Sequence, residues 1–174
     1  MTVQISFTDF VDFTLKTGTA RLTKVKEIKK RGEYHPSKDY WKGMRDAIVK
    51  IHEQNLPYKY LDEFSRNLSD IRKRERYLII AKNYKKFLGR KNIKWFSPPK
   101  SRWCVDELEI NINPELGLEI NGTPYIVKLF FKNENINKRK SEVLFHIMKE
   151  EFKESYPEAI VSVLDLNSGN LLTP

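Results

Sequence analysis

Cysteine is nearly absent from this 174-residue chain. Cys104 stands alone, which excludes an intramolecular disulfide framework and any metal site built on a cysteine cluster. Between Trp103 and Val105, its thiol is expected to be packed rather than reactive. Histidine is almost as scarce: His35, His52 and His146 share no metal-ligand spacing, and His52 reads as structural or exposed. The seven glycines are scattered singly, so there is no glycine-rich loop to cradle phosphates. Ser6 and Ser168 lack the flanking glycines of a nucleophile elbow. Apolar runs such as Tyr125 to Val127 and Leu129 to Phe131 are far too short to cross a bilayer. No charged, apolar, small-residue leader opens the chain, so no secretory signal is expected. These absences together describe a soluble, cytoplasmic protein.

The chain does carry apolar and aromatic residues, at 40% and 12%, enough to build a core. Its length suits one compact domain, or a core with a helical extension. Charge is its other resource. There are 32 basic and 23 acidic side chains, net +9, unevenly spread. Residues 16–50 carry +7 and residues 72–102 carry +11, whereas 103–174 carry −5. A basic front interleaved with Tyr77, Tyr84, Phe87, Trp95, Phe96 and Trp103 suits a polyanion: phosphates release counterions and flat rings stack on bases. The basic stretch 19–31 has no aromatics on its apolar face, so no membrane partner is expected.

Ser6 can cap a helix whose apolar face is Phe7, Phe10, Val11 and Leu15. Residues 19–31 predict a second helix with Leu22, Val25 and Ile28 inward, ended by Gly32. Ser37 then caps a helix to about Gln54, striped by Trp41, Met44, Ala47, Ile48 and Ile51. A short helix near 58–66 follows. A longer one covers 69–88, with Ile71, Leu78, Ile79, Tyr84, Phe87 and Leu88 as its buried side. After Pro98-Pro99 the texture becomes β-like, with strands at 105–112, 116–120 and 123–132 and a polar loop at 133–137. A helix over 138–154 and a buried strand over 159–166 complete the order. The fold class is α+β: N-terminal helices, then β-β-β-α-β. Residues 1–68 read as a helical extension packed on a core formed by 69–174.

Asn121-Gly122 is the strongest short hairpin signal a sequence offers. A two-residue turn there pairs Ile120 with Thr123 and, further out, Gly117 with Ile126 and Glu115 with Lys128. A carboxylate and a lysine thus become cross-strand neighbours. They form either a simple ion pair or a metal-binding acid beside a lysine that stabilises developing charge. Glu119, Glu107, Glu109, Asp106 and Glu75 are the acids that could complete such a site; Asp165 is expected to cap the turn after its strand.

This order of elements, with Pro114-Glu115 on one strand and Ile126-Val127-Lys128 on the next, resembles the restriction-endonuclease-like, PD-(D/E)XK, nuclease superfamily. The resemblance spans roughly residues 69–166. It implies a mixed sheet with flanking helices, Glu115 and Lys128 as catalytic residues, and Glu115 as ligand of Mg²⁺. Ile126 stands where the superfamily has its second acid, and an isoleucine cannot ligate a hard cation. The Gln-rich helix of RecB-type nucleases is also absent from 138–154.

The reading is therefore a DNA- or RNA-binding protein on a nuclease-like scaffold, without nuclease activity and without a cofactor. Arg72, Lys73, Arg74, Arg76, Lys82, Lys85, Lys86, Arg90, Lys91 and Lys94 are its expected nucleic-acid contacts. Two alternatives stand beside it. One is an active Mg²⁺-dependent nuclease with a migrated acid; the other is a module whose basic front meets an acidic protein.

Overall fold

A computed structural model describes residues 3–31, 35–132 and 136–174. The Gly32 helix stop and residues 133–135 of the polar loop lie outside these. Among the described residues no helix is long and apolar enough to cross a membrane. The elements are β1 Val3–Ser6, α1 Phe7–Leu15, α2 Gly18–Arg31, a 3-10 turn at Pro36–Lys38, α3 Lys42–Glu53, α4 Tyr60–Arg66 and α5 Ile71–Leu88. Then come β2 Ile93–Phe96, β3 Ser101–Val105, β4 Leu108–Ile112, β5 Leu116–Ile120, β6 Thr123–Phe130, α6 Lys138–Phe152, β7 Ile160–Asp165 and β8 Asn170–Leu172. The class is α+β.

The Asn121-Gly122 turn fixes the centre of the fold. Both residues sit at positive φ, 52° and 89°, the backbone of a type I′ turn that matches strand twist. Leu116 therefore pairs with Val127, Gly117 with Ile126 and Ile120 with Thr123. From β6 the chain crosses over through α6 to β7, which lies parallel to β6. The five-stranded sheet has the order β2-β5-β6-β7-β8.

Strand alternation sends side chains to two separate cores. Leu116, Leu118, Ile120, Val127, Leu129 and Leu164 face α3, α4 and α5, where they meet Met44, Ile48, Ile51, Leu61, Tyr77 and Tyr84. Ile126, Phe130, Val161 and Val163 face the other way, onto Phe7 and Val11 of α1 and Leu144, Met148 and Phe152 of α6. Gly117 has no room for a side chain: a Cβ there would come within 2.4 Å of the Phe96 carbonyl oxygen. A glycine at this point lets β2 lie close against β5.

Three expectations are corrected. The strand read over 105–112 is two strands, β3 and β4, reversed at Asp106 with φ 51°. They form a second sheet of order β1-β4-β3, so the first strand of the expected β-β-β run does not lie beside β5. Its place is taken by β2, and β1 and β8 are further strands whose three or four residues show too little alternation to read. The buried stripe of α5 is Tyr77, Ile80, Ala81, Tyr84, Phe87 and Leu88, whereas Ile71 and Ile79 are 65% and 49% exposed. On α2 Leu22 is 62% exposed and the one buried residue is Lys24. The helices within 1–68 belong to both cores: α3 and α4 cover one sheet face and α1 the other.

Candidate functional site

The hairpin register brings Glu115 and Lys128 together on the face that carries Ile126 and Phe130. Lys128 Nζ donates to Glu115 Oε1 at 2.5 Å and to the Asn113 carbonyl at 3.3 Å, and the Leu129 amide donates to Glu115 Oε2 at 2.8 Å. Both carboxylate oxygens are thus taken. The two side chains are only 12% and 11% exposed, which makes this a buried, fully partnered pair rather than a surface one. Ile126 is wholly buried beneath α6.

None of the five other acids joins Glu115. Glu119 pairs with Lys94 at 2.9 Å. Glu109 accepts from Gln4 at 2.9 Å and pairs with Arg102 at 3.2 Å in the other sheet. Asp106 and Glu107 form the turn between β3 and β4, and Glu75 is exposed on α5. Asp165 does cap its turn, accepting from the Asn167 amide at 3.0 Å and the Ser168 hydroxyl at 3.1 Å. No group of three or more His, Cys, Asp or Glu side chains among the described residues gathers to hold a metal.

The ten expected nucleic-acid contacts divide into two sets. Lys73 lies over the Tyr40 and Tyr77 rings, and Arg74 donates twice to the Leu68 carbonyl. Lys85 pairs with Asp62, Lys91 donates to the Phe87 carbonyl, Lys94 holds Glu119, and Arg76 is engaged within the fold. Arg72, Lys82, Lys86 and Arg90 are exposed, with no ion pair among the described residues. At helical spacing Arg72, Glu75, Ile79, Lys82 and Lys86 share one solvent face, and Arg90 follows the Gly89 stop, also exposed. Tyr77, Tyr84 and Phe87 are buried and so cannot stack on bases, and Cys104 is exposed rather than packed.

A charged cluster that the sequence reading missed lies on the α1 side of the sheet. Asp12 pairs with Lys132 and Lys140 and lies 3.6 Å from Lys24; Asp9 pairs with Lys24 at 2.7 Å and Arg31 at 2.8 Å. Burial pushes the Asp9 carboxyl up, but hydrogen bonds from Lys24, Arg31 and Ser6 outweigh it and hold it at about 2. Asp12 is lowered in the same way by Lys132 and Lys140. The one available signal was Asp9 and Asp12 at i, i+3, side by side on one helix.

His52 is a second buried polar feature. Its Nε2 lies 2.6 Å from the Tyr84 hydroxyl and its ring stacks on Trp95, and burial lowers its pKa to about 4. It is a neutral packing residue, as its place on α3 suggested.

No protein-family model, curated protein or solved structure matches this chain. The functional reading therefore rests on the side chains alone.

Proposed function

We propose that this protein binds nucleic acid through the solvent face of α5 and does not cleave it. The observation that carries the reading is the row Arg72, Lys82, Lys86 and Arg90, four exposed cations free of ion pairs among the described residues. Cations spaced along one helix face track a phosphodiester backbone, and their unspent charge is available to release counterions. The wider segment 72–102, which includes this row, carries +11. On this reading the restriction-endonuclease-like likeness is one of scaffold. Glu115 is occupied by Lys128 and the Leu129 amide, which favours a structural pair over a Mg²⁺ ligand.

Fluorescence anisotropy of a short duplex and a single strand, titrated with salt, tests it. Wild-type affinity should fall steeply with salt. Replacing Arg72, Lys82, Lys86 and Arg90 by glutamine should lower the log–log salt slope by about one for each phosphate no longer neutralised. An unchanged slope in that variant, or salt-insensitive binding in the wild type, overturns the assignment. The six cations engaged within the fold should contribute little to the slope.

A further inference from the structure

We propose that the cavity at the end of α6 holds a single nucleotide, its base on the apolar floor and its phosphate at two lysines. The cavity has a volume of about 330 Å³ and lies between the last turn of α6, the Tyr156-Pro157 turn and the start of β7. It is at the opposite end of α6 from Lys140 and the carboxylates of α1. Its floor is apolar: Ile126 of β6, Phe152 of α6 and Val161 of β7 are 0%, 3% and 5% exposed. Tyr156 forms part of the wall, and its ring is held by stacking on Phe96 with centroids 5.8 Å apart. Lys149 and Lys153, one turn apart on α6, are exposed at the rim.

The ligand class follows from this lining. An apolar cavity of this size takes one small ring system rather than a peptide segment or a lipid chain. A tyrosine beside an apolar floor suits a base, since every base offers a flat face to stack. The rim selects an anion. Lys149 has no ion pair among the described residues. Lys153 meets Glu150 at 2.7 Å, but both side chains are half exposed, so the pair is weak and open to exchange for a phosphate. The carbonyls that a helix end turns against an anion are already engaged: that of Lys149 accepts from the Lys153 amide and that of Phe152 from the Tyr156 amide. Glu154 and Glu158 do not line the cavity.

A free mononucleotide and an unpaired nucleotide of a strand share this chemistry. The cavity lies on the α6 side of the sheet and α5 on the other. The site therefore goes beyond the α5 interface, and only its strand-bound form rests on that reading.

Methyl NMR of the full chain tests the proposal, read at Ile126 and Val161 during titration with adenosine and uridine 5′-monophosphates, adenosine and inorganic phosphate. The mononucleotides should shift both methyl sets saturably, adenosine more weakly, and inorganic phosphate not at all. Replacing Lys149 and Lys153 by glutamine should weaken mononucleotide binding roughly tenfold and leave adenosine unchanged. Ala159→Phe, which fills the cavity from its wall, should abolish both; if that variant does not fold, the lysine variant decides alone. No saturable shift with either mononucleotide, an unchanged affinity in the lysine variant, or undiminished binding in a folded Ala159→Phe protein overturns the proposal. A short single strand separates the two sources. If it shifts the same methyls, and the α5 glutamine variant removes that shift, the cavity receives a nucleotide of a bound strand. If the strand leaves them unmoved while mononucleotides still bind, the cavity takes free nucleotides. Failure of the α5 interface instead shows as strand binding indifferent to the α5 variant, with the mononucleotide response in place.

Discussion

Lys128 shows how far a pair of residues can be argued from spacing and where burial changes the conclusion. An exposed cross-strand ion pair contributes only about 0.2–1 kcal/mol. This one is nine-tenths buried and its carboxylate also takes the Leu129 amide, so removing one partner strands the other. Lys128→Met should lower stability by on the order of 3–5 kcal/mol in denaturant melts, and pairing it with Glu115→Gln should recover much of that loss. Nucleic-acid affinity should stay unchanged in both. A larger effect on binding than on melting would place Lys128 in the interface. His52 carries the pH dependence. The unfolded chain takes up a proton near pH 6.5, which the folded protein refuses until about pH 4. The unfolded state thus binds more protons across that window. Stability is full above pH 6.5 and falls by on the order of 3 kcal/mol as pH drops to 4. His52→Gln should flatten that slope. The Asp9 contribution is separate: its folded pKa is depressed from 3.8 to about 2, so its share is present above 3.8 and lost only as pH falls through 2.

At the scale of elements, legibility followed the strength of the local period. The β5–β6 hairpin was readable to the residue because Asn121 and Gly122 accept positive φ and so allow one register. The α3 stripe of Met44, Ala47, Ile48 and Ile51 was equally plain. On α5 the isoleucines misled. Tyr77, Ile80, Ala81, Tyr84, Phe87 and Leu88 keep strict 3–4 spacing, but an aromatic with a hydroxyl and an alanine signal burial less loudly than Ile71 and Ile79. The α2 inversion has an electrostatic cause. Its apolar residues are too few to dock it, and Lys24 turns inward because Asp9 and Asp12 wait on α1. Arg31 joins Asp9, and Arg21 donates to the Lys16 and Thr14 carbonyls at the end of α1. Those partners are distant in sequence for Lys132 and Lys140, so no window of residues could show the cluster. Ile126, by contrast, was legible as a position without an acid.

At the scale of the molecule, one sheet serves two cores, and this decides how the chain can be divided. β6 and β7 send alternate residues to α3–α5 on one side and to α1, α6 and the small sheet on the other, and β5 adds Leu116, Leu118 and Ile120 to the first side. A fragment of residues 69–174 keeps the central sheet but loses Met44, Ile48, Ile51 and Leu61 from one face and Phe7 and Val11 from the other. Each of those residues is almost wholly buried, and each withdrawn side chain removes about 1.5–3 kcal/mol of burial. For the six together that is about 9–18 kcal/mol, comparable to the whole of the roughly 5–15 kcal/mol by which a domain is stable. The fragment should therefore fail to fold as a cooperative unit, with a collapsed, dye-binding state in place of a sharp melt. In the full chain the two cores should melt together. Trp41 and Trp95 report on the α3–α5 side and Trp103 on the α1–α6 side, so single-tryptophan variants read each core separately. Coincident fluorescence midpoints are expected because neither core can open without stripping one face of the shared strands. Separate midpoints, or a fragment 69–174 that melts sharply, would show the first 68 residues to be the dispensable extension their composition suggests.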